Sequence, residues 1–273
     1  MAGLLGGPPA GSVRTAPDLE FAVEDAAGVR IAAAAGATRV ELCAALGATG
    51  GITPSIGTVQ KACEAGLPVH VLVRPRAGGF AYTAEELDVI ERDVLAVLRA
   101  GAAGVVIGAL APDGGPDTDA LARLTAAARA QRPGAEVTFH RAFDAALAGG
   151  ADPAEALGRL ARAGVDRVLT SGGSADCGQG LDMLARLVQL ARTHAPGLQI
   201  MAGGGVTVDL VPRLAAAGVH GVHSSGRRHA AASGSTAPGP ALPGAPGAEP
   251  GAIDPDVVRD FAAALRARGS IRG

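Results

Sequence analysis

Tryptophan is absent from the 273 residues, tyrosine occurs once and phenylalanine five times, so aromatic rings cannot dominate the interior. The core has to be built from Val, Leu, Ile and Ala, which the 48% hydrophobic content supplies. Lysine is almost missing too. Lys61 is the sole one, and it falls in a predicted outer helix, Ile56 to Ala65, which argues against Schiff-base chemistry. The three cysteines, Cys43, Cys63 and Cys177, have no Cys-x-x-Cys spacing and are too few for a disulfide framework, as suits a reducing compartment. No run approaches the roughly 18 apolar residues of a membrane span, and Met1 to Ser12 lacks the basic-then-apolar order of a signal peptide. A cytoplasmic protein with no membrane partner is expected. Lys+Arg 24 against Asp+Glu 26 leaves a formal charge of −2, so no nucleic-acid partner is expected either.

What the chain does have is a repeated junction in which a helical segment ends at Ala-Gly and a short strand follows. It appears at Ala35-Gly36, Ala100-Gly101, Ala163-Gly164 and Ala217-Gly218, with Ala65-Gly66 as a variant. A glycine just past a helix can turn left-handed, satisfy the last carbonyls and send the chain into a buried strand. Between junctions lie segments of helical period, such as Glu85 to Arg99, Asp152 to Ala163 and Leu181 to Thr193. Eight apolar runs too short for helices alternate with them: Leu19 to Val23, Thr38 to Leu42, Pro68 to Val73, Gly104 to Ile107, Glu136 to Phe139, Asp166 to Thr170, Leu198 to Ala202 and His220 to His223. That alternation predicts an α/β chain folded as a single (β/α)₈ TIM-type barrel. An open doubly wound sheet shares the alternation, but no Gly-x-Gly-x-x-Gly follows the first strand.

Two segments fall outside the repeat, a flexible N-terminal stretch over 1–17 and a Gly/Ala/Pro-rich stretch over 230–251 within the barrel unit 18–273. After the second, Asp254 and Pro255 start a last helix, Pro255 to Ala267, suited to close the outer ring.

In such a barrel the site forms at the C-terminal ends of the strands. The second strand brings Glu41 and Cys43 there; the third brings Arg74 and Arg76; the fifth brings His140, Arg141 and Asp144. The sixth contributes Ser171 and Gly172, the seventh Gly203, Gly204 and Gly205, and the eighth His223, Ser224 and Ser225. The opposite turns offer Thr38, Arg39, Asp166, Arg167 and His220, read as solvation and capping groups. The Gly- and Ser-rich ends of strands seven and eight suit a phosphate or another small anion, with Arg74, Arg76 or Arg141 adding contacts; glycine and serine are also ordinary turn residues. His140 is a candidate acid, base or metal ligand oriented by Asp144 or Glu41, or else a neutral histidine at the rim. Glu41 needs a cationic or donor partner such as Arg74.

Val40-Glu41-Leu42-Cys43, Gly50-Gly51-Ile52-Thr53-Pro54-Ser55, Val73-Arg74-Pro75-Arg76, Thr138 to Asp144, Leu169-Thr170-Ser171-Gly172, Met201 to Val206 and Val222-His223-Ser224-Ser225 occur in order. Together they resemble the CutC family. The resemblance implies a TIM-type barrel, a cytoplasmic location, an association with copper homeostasis and a possible homodimer. Cu(I) prefers thiolate and thioether donors. On this chain the copper-touching candidate is Cys43, with Cys177 and Met201 further off. Relatives often carry cysteines in the first strand, which here reads Leu19-Glu20-Phe21-Ala22-Val23. Two readings follow: a copper-linked protein, or an enzyme or sensor for a small phosphorylated or carboxylated metabolite. In the second, Glu41, His140 and Asp144 supply the proton chemistry.

Overall fold

The computed structural model describes residues 17–228 and 252–269; the two segments expected to be loose lie outside these, Pro17 excepted. Eight parallel strands close a barrel in chain order. They are β1 (Asp18–Val23), β2 (Arg39–Leu42), β3 (Val69–Leu72), β4 (Gly104–Ile107), β5 (Glu136–Phe139), β6 (Arg167–Thr170), β7 (Gln199–Gly203) and β8 (Gly221–Ser224). Outside them run α1 (Ala26–Ala35), α2 (Leu46–Thr49), α3 (Ile56–Cys63), α4 (Ala84–Arg99), α5 (Thr118–Gln131), α6 (Ala142–Ala148), α7 (Pro153–Arg162), α8 (Leu181–His194), α9 (Val211–Ala217) and α10 (Pro255–Gly269). No helix among the described residues is long and apolar enough to cross a membrane.

The Ala-Gly junctions act as the sequence suggests. Gly36, Gly66, Gly101, Gly164 and Gly218 all have positive φ, between 79° and 111°, and each ends a helix on the side from which the next strand starts. On the strands, alternation sorts the residues. Leu19, Phe21 and Val23 of β1 join the apolar layer under the helices, and the Phe21 ring meets Phe261 of α10 edge-on at 5.8 Å. The last helix thus seals the seam between β1 and β8.

The intervening residues point inward, and here an expectation fails. Arg39 and Arg167 are not turn groups facing water; both are nearly fully buried inside the barrel. Arg39 on β2 reaches across to Glu136 on β5 (Nη1 to Oε2, 2.5 Å), and Arg167 on β6 reaches Asp18 on β1 (2.9 Å). Arg39 also donates from Nε to Glu20 (2.5 Å), and His70 Nε2 lies 2.8 Å from Glu136. The physical reason lies in the register: period-2 alternation places Asp18 and Glu20 of β1, Arg39 of β2, His70 of β3, Glu136 of β5 and Arg167 of β6 on the inner wall, where the partners are other inner residues. Burying a charge costs several kcal/mol on general grounds, so the ions alternate in sign around the wall and satisfy one another. The lower half of this barrel is therefore filled by an ion network rather than by layers of branched aliphatics. Gly104 makes room for it, because a Cβ there would lie 2.3 Å from the Glu136 carbonyl oxygen and 2.6 Å from the His70 ring.

Candidate functional site at the barrel mouth

Above the ion network the barrel opens into a cavity of about 510 Å³ at the C-terminal ends of the strands. Of the residues expected there, Glu41, Arg74, His140, Arg141, Gly204, Gly205, His223, Ser224 and Ser225 line it. Leu72, Phe80, Leu169 and Val206 give it an apolar wall.

The floor follows from strand register. Glu20 on β1 is level with Arg39 on β2 and with His223 on β8, so one buried carboxylate has a cation on one side and an imidazole on the other. His223 Nδ1 lies 2.7 Å from Glu20 Oε1 and 3.5 Å from Glu41 Oε2. Burial opposes the Glu20 charge, yet Arg39 and His223 outweigh it and hold that carboxyl well below the usual range. His223 is driven the other way: burial disfavours its cation, but the two carboxylates prevail and raise its pKa. Glu41 has no arginine against it. Burial, helped by the nearby Glu20 charge, pushes its carboxyl up to about 7 despite His223, so it stands ready to exchange a proton near neutral pH. The partner expected for Glu41, Arg74, is occupied elsewhere, because the segment after β2 and the loop after β3 bring backbone carbonyls to it. Its Nη1 donates to Thr49 O (3.0 Å) and Gly51 O (2.9 Å), and its Nη2 to Gly78 O (2.9 Å). Arg74 is 7% exposed and forms no salt bridge among the described residues.

His140 likewise departs from expectation. Neither Asp144 nor Glu41 orients it; its Nδ1 accepts the Ala142 backbone N–H (3.1 Å), and its Nε2 is buried with no partner. Burial, with Arg74 close by, pushes its pKa down to about 3, so the ring is neutral with its proton on Nε2. Asp144 serves the loops instead. It accepts from Thr170 Oγ1 (2.5 Å), Ser171 N (3.1 Å), Gly173 N (2.9 Å) and Arg141 Nε (2.7 Å), while Arg141 Nη2 donates to Ser171 Oγ (2.9 Å). Arg141 is held over Gly204, where a Cβ would lie 2.9 Å from its guanidinium.

Cys43, Arg76, Asp144, Ser171, Gly172 and Gly203 are not part of the cavity lining. Arg76 is drawn to Glu86 at the start of α4, which also caps that helix with Thr83. The Cys43 thiol is buried against Val23 O, and burial pushes its pKa up. Cys177 sits against Thr170 O, its thiol pushed up to about 12 by burial. Copper does not fit these residues: both thiols resist becoming thiolates and neither faces the cavity. Among the described residues, the one set of three donor side chains within 4.8 Å is Glu20, Glu41 and His223, hard oxygen and imidazole donors in which Glu20 is already spent on Arg39 and His223.

Sequence reasoning missed Glu20, Arg227, Arg228 and Phe80. An acid at an inward position of the first strand was a usable signal for Glu20, and an Arg-Arg pair just after the Ser-Ser-Gly of β8 was one for Arg227 and Arg228. Arg227 is braced by Glu24 (2.6 Å) and Arg228 by Asp254 (2.6 Å), so the mouth is ringed by fixed cations.

Comparison with known proteins agrees with the motifs. The CutC family model matches residues 18–228. A family protein CutC of Agrobacterium fabrum (strain C58) is 45% identical over 196 residues, covering 72% of this chain and 73% of the relative. One of Rhizobium meliloti (strain 1021) is 44% identical over 211 residues, covering 76% and 81%. Among solved structures, a CutC from Streptococcus agalactiae whose name carries the copper-homeostasis label is similar with a TM-score of 0.67 and 30% identity, covering 77% of this chain and 98% of that one. With a family model spanning the whole barrel apart from its last helix, and these relatives alongside, the chain belongs to the CutC family.

Proposed function

We propose that the protein binds a small organic anion, a phosphate or carboxylate, in the barrel mouth and moves a proton on it. The observation that carries the anion is Arg74, a buried guanidinium whose terminal nitrogens donate to neutral carbonyls and which forms no salt bridge among the described residues. An uncompensated buried cation is costly, and a ligand of opposite sign removes that cost. Arg141, Arg227 and Arg228 add positive potential at the rim, and the backbone at Gly204 and Gly205 allows close approach. The proton chemistry is supported by Glu41 and His223, two groups whose charges are poised by Glu20 in a water-poor floor. A sensor that binds without turnover would use the same pocket. A cytoplasmic location and a homodimer belong to the same reading.

A family copper role would need thiols that open toward the cavity, since Cys43 and Cys177 are turned to backbone carbonyls. Thermal unfolding of reduced, metal-free protein with inorganic phosphate, sugar phosphates and Cu(I) tests both readings, because a ligand that binds only the native state raises the melting temperature. The expected result is a rise with phosphate compounds that survives Cys43→Ser and falls with Arg141→Ala. A Cu(I) shift removed by Cys43→Ser, with no shift from any anion, would overturn it.

A further inference from the structure

Three side chains that line the cavity, Arg74, His140 and Arg227, each hold an orphaned buried donor, and the first two lie beside one ring. His140 Nε2 and Arg74 Nε are both buried with no hydrogen-bond partner, and both groups flank one ring: Phe80 is 4.9 Å from the imidazole centroid and 5.2 Å from the Arg74 guanidinium carbon. Native structures rarely leave buried donors unmet, and sites that await an oxygen are a principal exception. The imidazole cannot turn away, since the Ala142 N–H holds Nδ1 and the ring lies flat over Gly108, where a Cβ would come within 2.2 Å of it. On the opposite wall, three strands round the barrel from β5 in either direction, stand Glu41 on β2 and His223 on β8.

We infer that His140 and Arg74 form an oxyanion site for a carbonyl oxygen, and that the substrate is a small carbonyl compound with an acidic hydrogen on the neighbouring carbon and a phosphate or carboxylate tail. The inference rests on the proposed anion pocket and extends it to a reaction class. Glu41 takes the proton from carbon, the C–H bonding pair becomes the C=C bond of an enolate, and the carbonyl π pair moves onto oxygen. That oxygen is held by the His140 Nε2–H and the Arg74 Nε–H. Return of the proton to the same carbon from the opposite face completes an epimerisation; where that carbon carries a hydroxyl, delivery of the proton to the former carbonyl carbon, with the hydroxyl proton passing to the oxyanion, completes an isomerisation, with no oxidant or further reactant. A neutral imidazole suits this role, because an imidazolium would protonate or repel what an anionic site has to hold and release. Phe80, on the loop that carries Gly78 and Gly79, packs beside both groups and is the part that yields to the incoming oxygen.

The test uses matched pairs that differ only in a carbonyl: dihydroxyacetone phosphate against glycerol 3-phosphate, oxaloacetate against malate, and pyruvate against lactate, titrated calorimetrically into the full chain. In at least one pair the carbonyl member should bind roughly tenfold or more tighter, as expected where buried donors otherwise go unpaired. His140→Phe should bring the ratio to about one while inorganic phosphate binding persists, because phosphate does not use the imidazole. Deuterium from solvent should enter the carbon beside the carbonyl, and Glu41→Gln should stop that exchange without preventing binding. Should His140→Phe fail to fold, ¹⁵N shifts of the wild-type imidazole replace it: a single ring with Nε2–H, neutral at pH 5 and perturbed by the carbonyl ligand alone, is expected. Equal binding of both members of every pair, with phosphate still bound, overturns the oxyanion site and leaves the anion pocket standing. No binding of phosphate or of any compound overturns both.

Discussion

Lowering the pH from 7 to 5 should cost the native state about 2 kcal/mol through His140 alone. The unfolded chain presents an ordinary histidine near 6.5, whereas the folded ring stays neutral until about 3 because burial and Arg74 oppose its cation. As the pH falls below 6.5 the unfolded state gains a proton that the native state refuses, so stability is present above that value and drains away toward 3. At pH 5 the drain has run for a pH unit and a half, at about 1.4 kcal/mol per unit. Other groups move in the same interval: His70 and His220 are also depressed by burial, while His223 and Glu41 are raised and act in the opposite sense. The readout is therefore a difference. Urea unfolding of wild type and of His140→Gln between pH 7.5 and 5, with stability taken from linear extrapolation, isolates the His140 contribution. Relative to the variant, wild type should lose about 2 kcal/mol across the interval. A difference that stays constant with pH would refute the claim that the ring is neutral and sealed, and with it the Nε2–H donor.

Two further outcomes test the scaffold. Arg39→Met removes the guanidinium between Glu20 and Glu136 and should destabilise by about 3–5 kcal/mol, because it leaves buried carboxylates unpaired; adding Glu20→Gln should recover part of that loss in the same urea titration. Asp144→Ala strips partners from the Ser171 and Gly173 N–H groups and frees Arg141, so differential scanning calorimetry should show a loss of about 3 kcal/mol, and calorimetric titration a weaker phosphate complex.

The barrel was legible because its signals are local. An Ala-Gly helix end, a short apolar run and a helical period each depend on a few neighbouring residues, and eight such runs alternating with helical segments leave little choice of architecture. The strand-end rule then placed Glu41, Arg74, His140, Arg141, Gly204 and His223 at one mouth, since in a parallel barrel every strand ends on the same side. Their partners were not legible. Glu41 and Arg74 sit on adjacent strands and carry opposite charges, and nothing in the sequence says that Arg74 will prefer the carbonyls of Thr49, Gly51 and Gly78.

The amino-acid order by itself determined the element sequence, the closed parallel barrel, the family and the end at which a site would form. Only the tertiary structure decided that Arg39 and Arg167 neutralise acids inside the barrel, that Glu20 rather than Arg74 governs His223 and Glu41, that the thiols turn from the cavity, and that His140 is left with an unmet donor. The physical reason is that alternation fixes which wall a side chain faces, whereas its partner is set by strand register, which pairs residues as far apart in sequence as Glu20 and His223, and by contacts across the barrel such as Arg167 with Asp18.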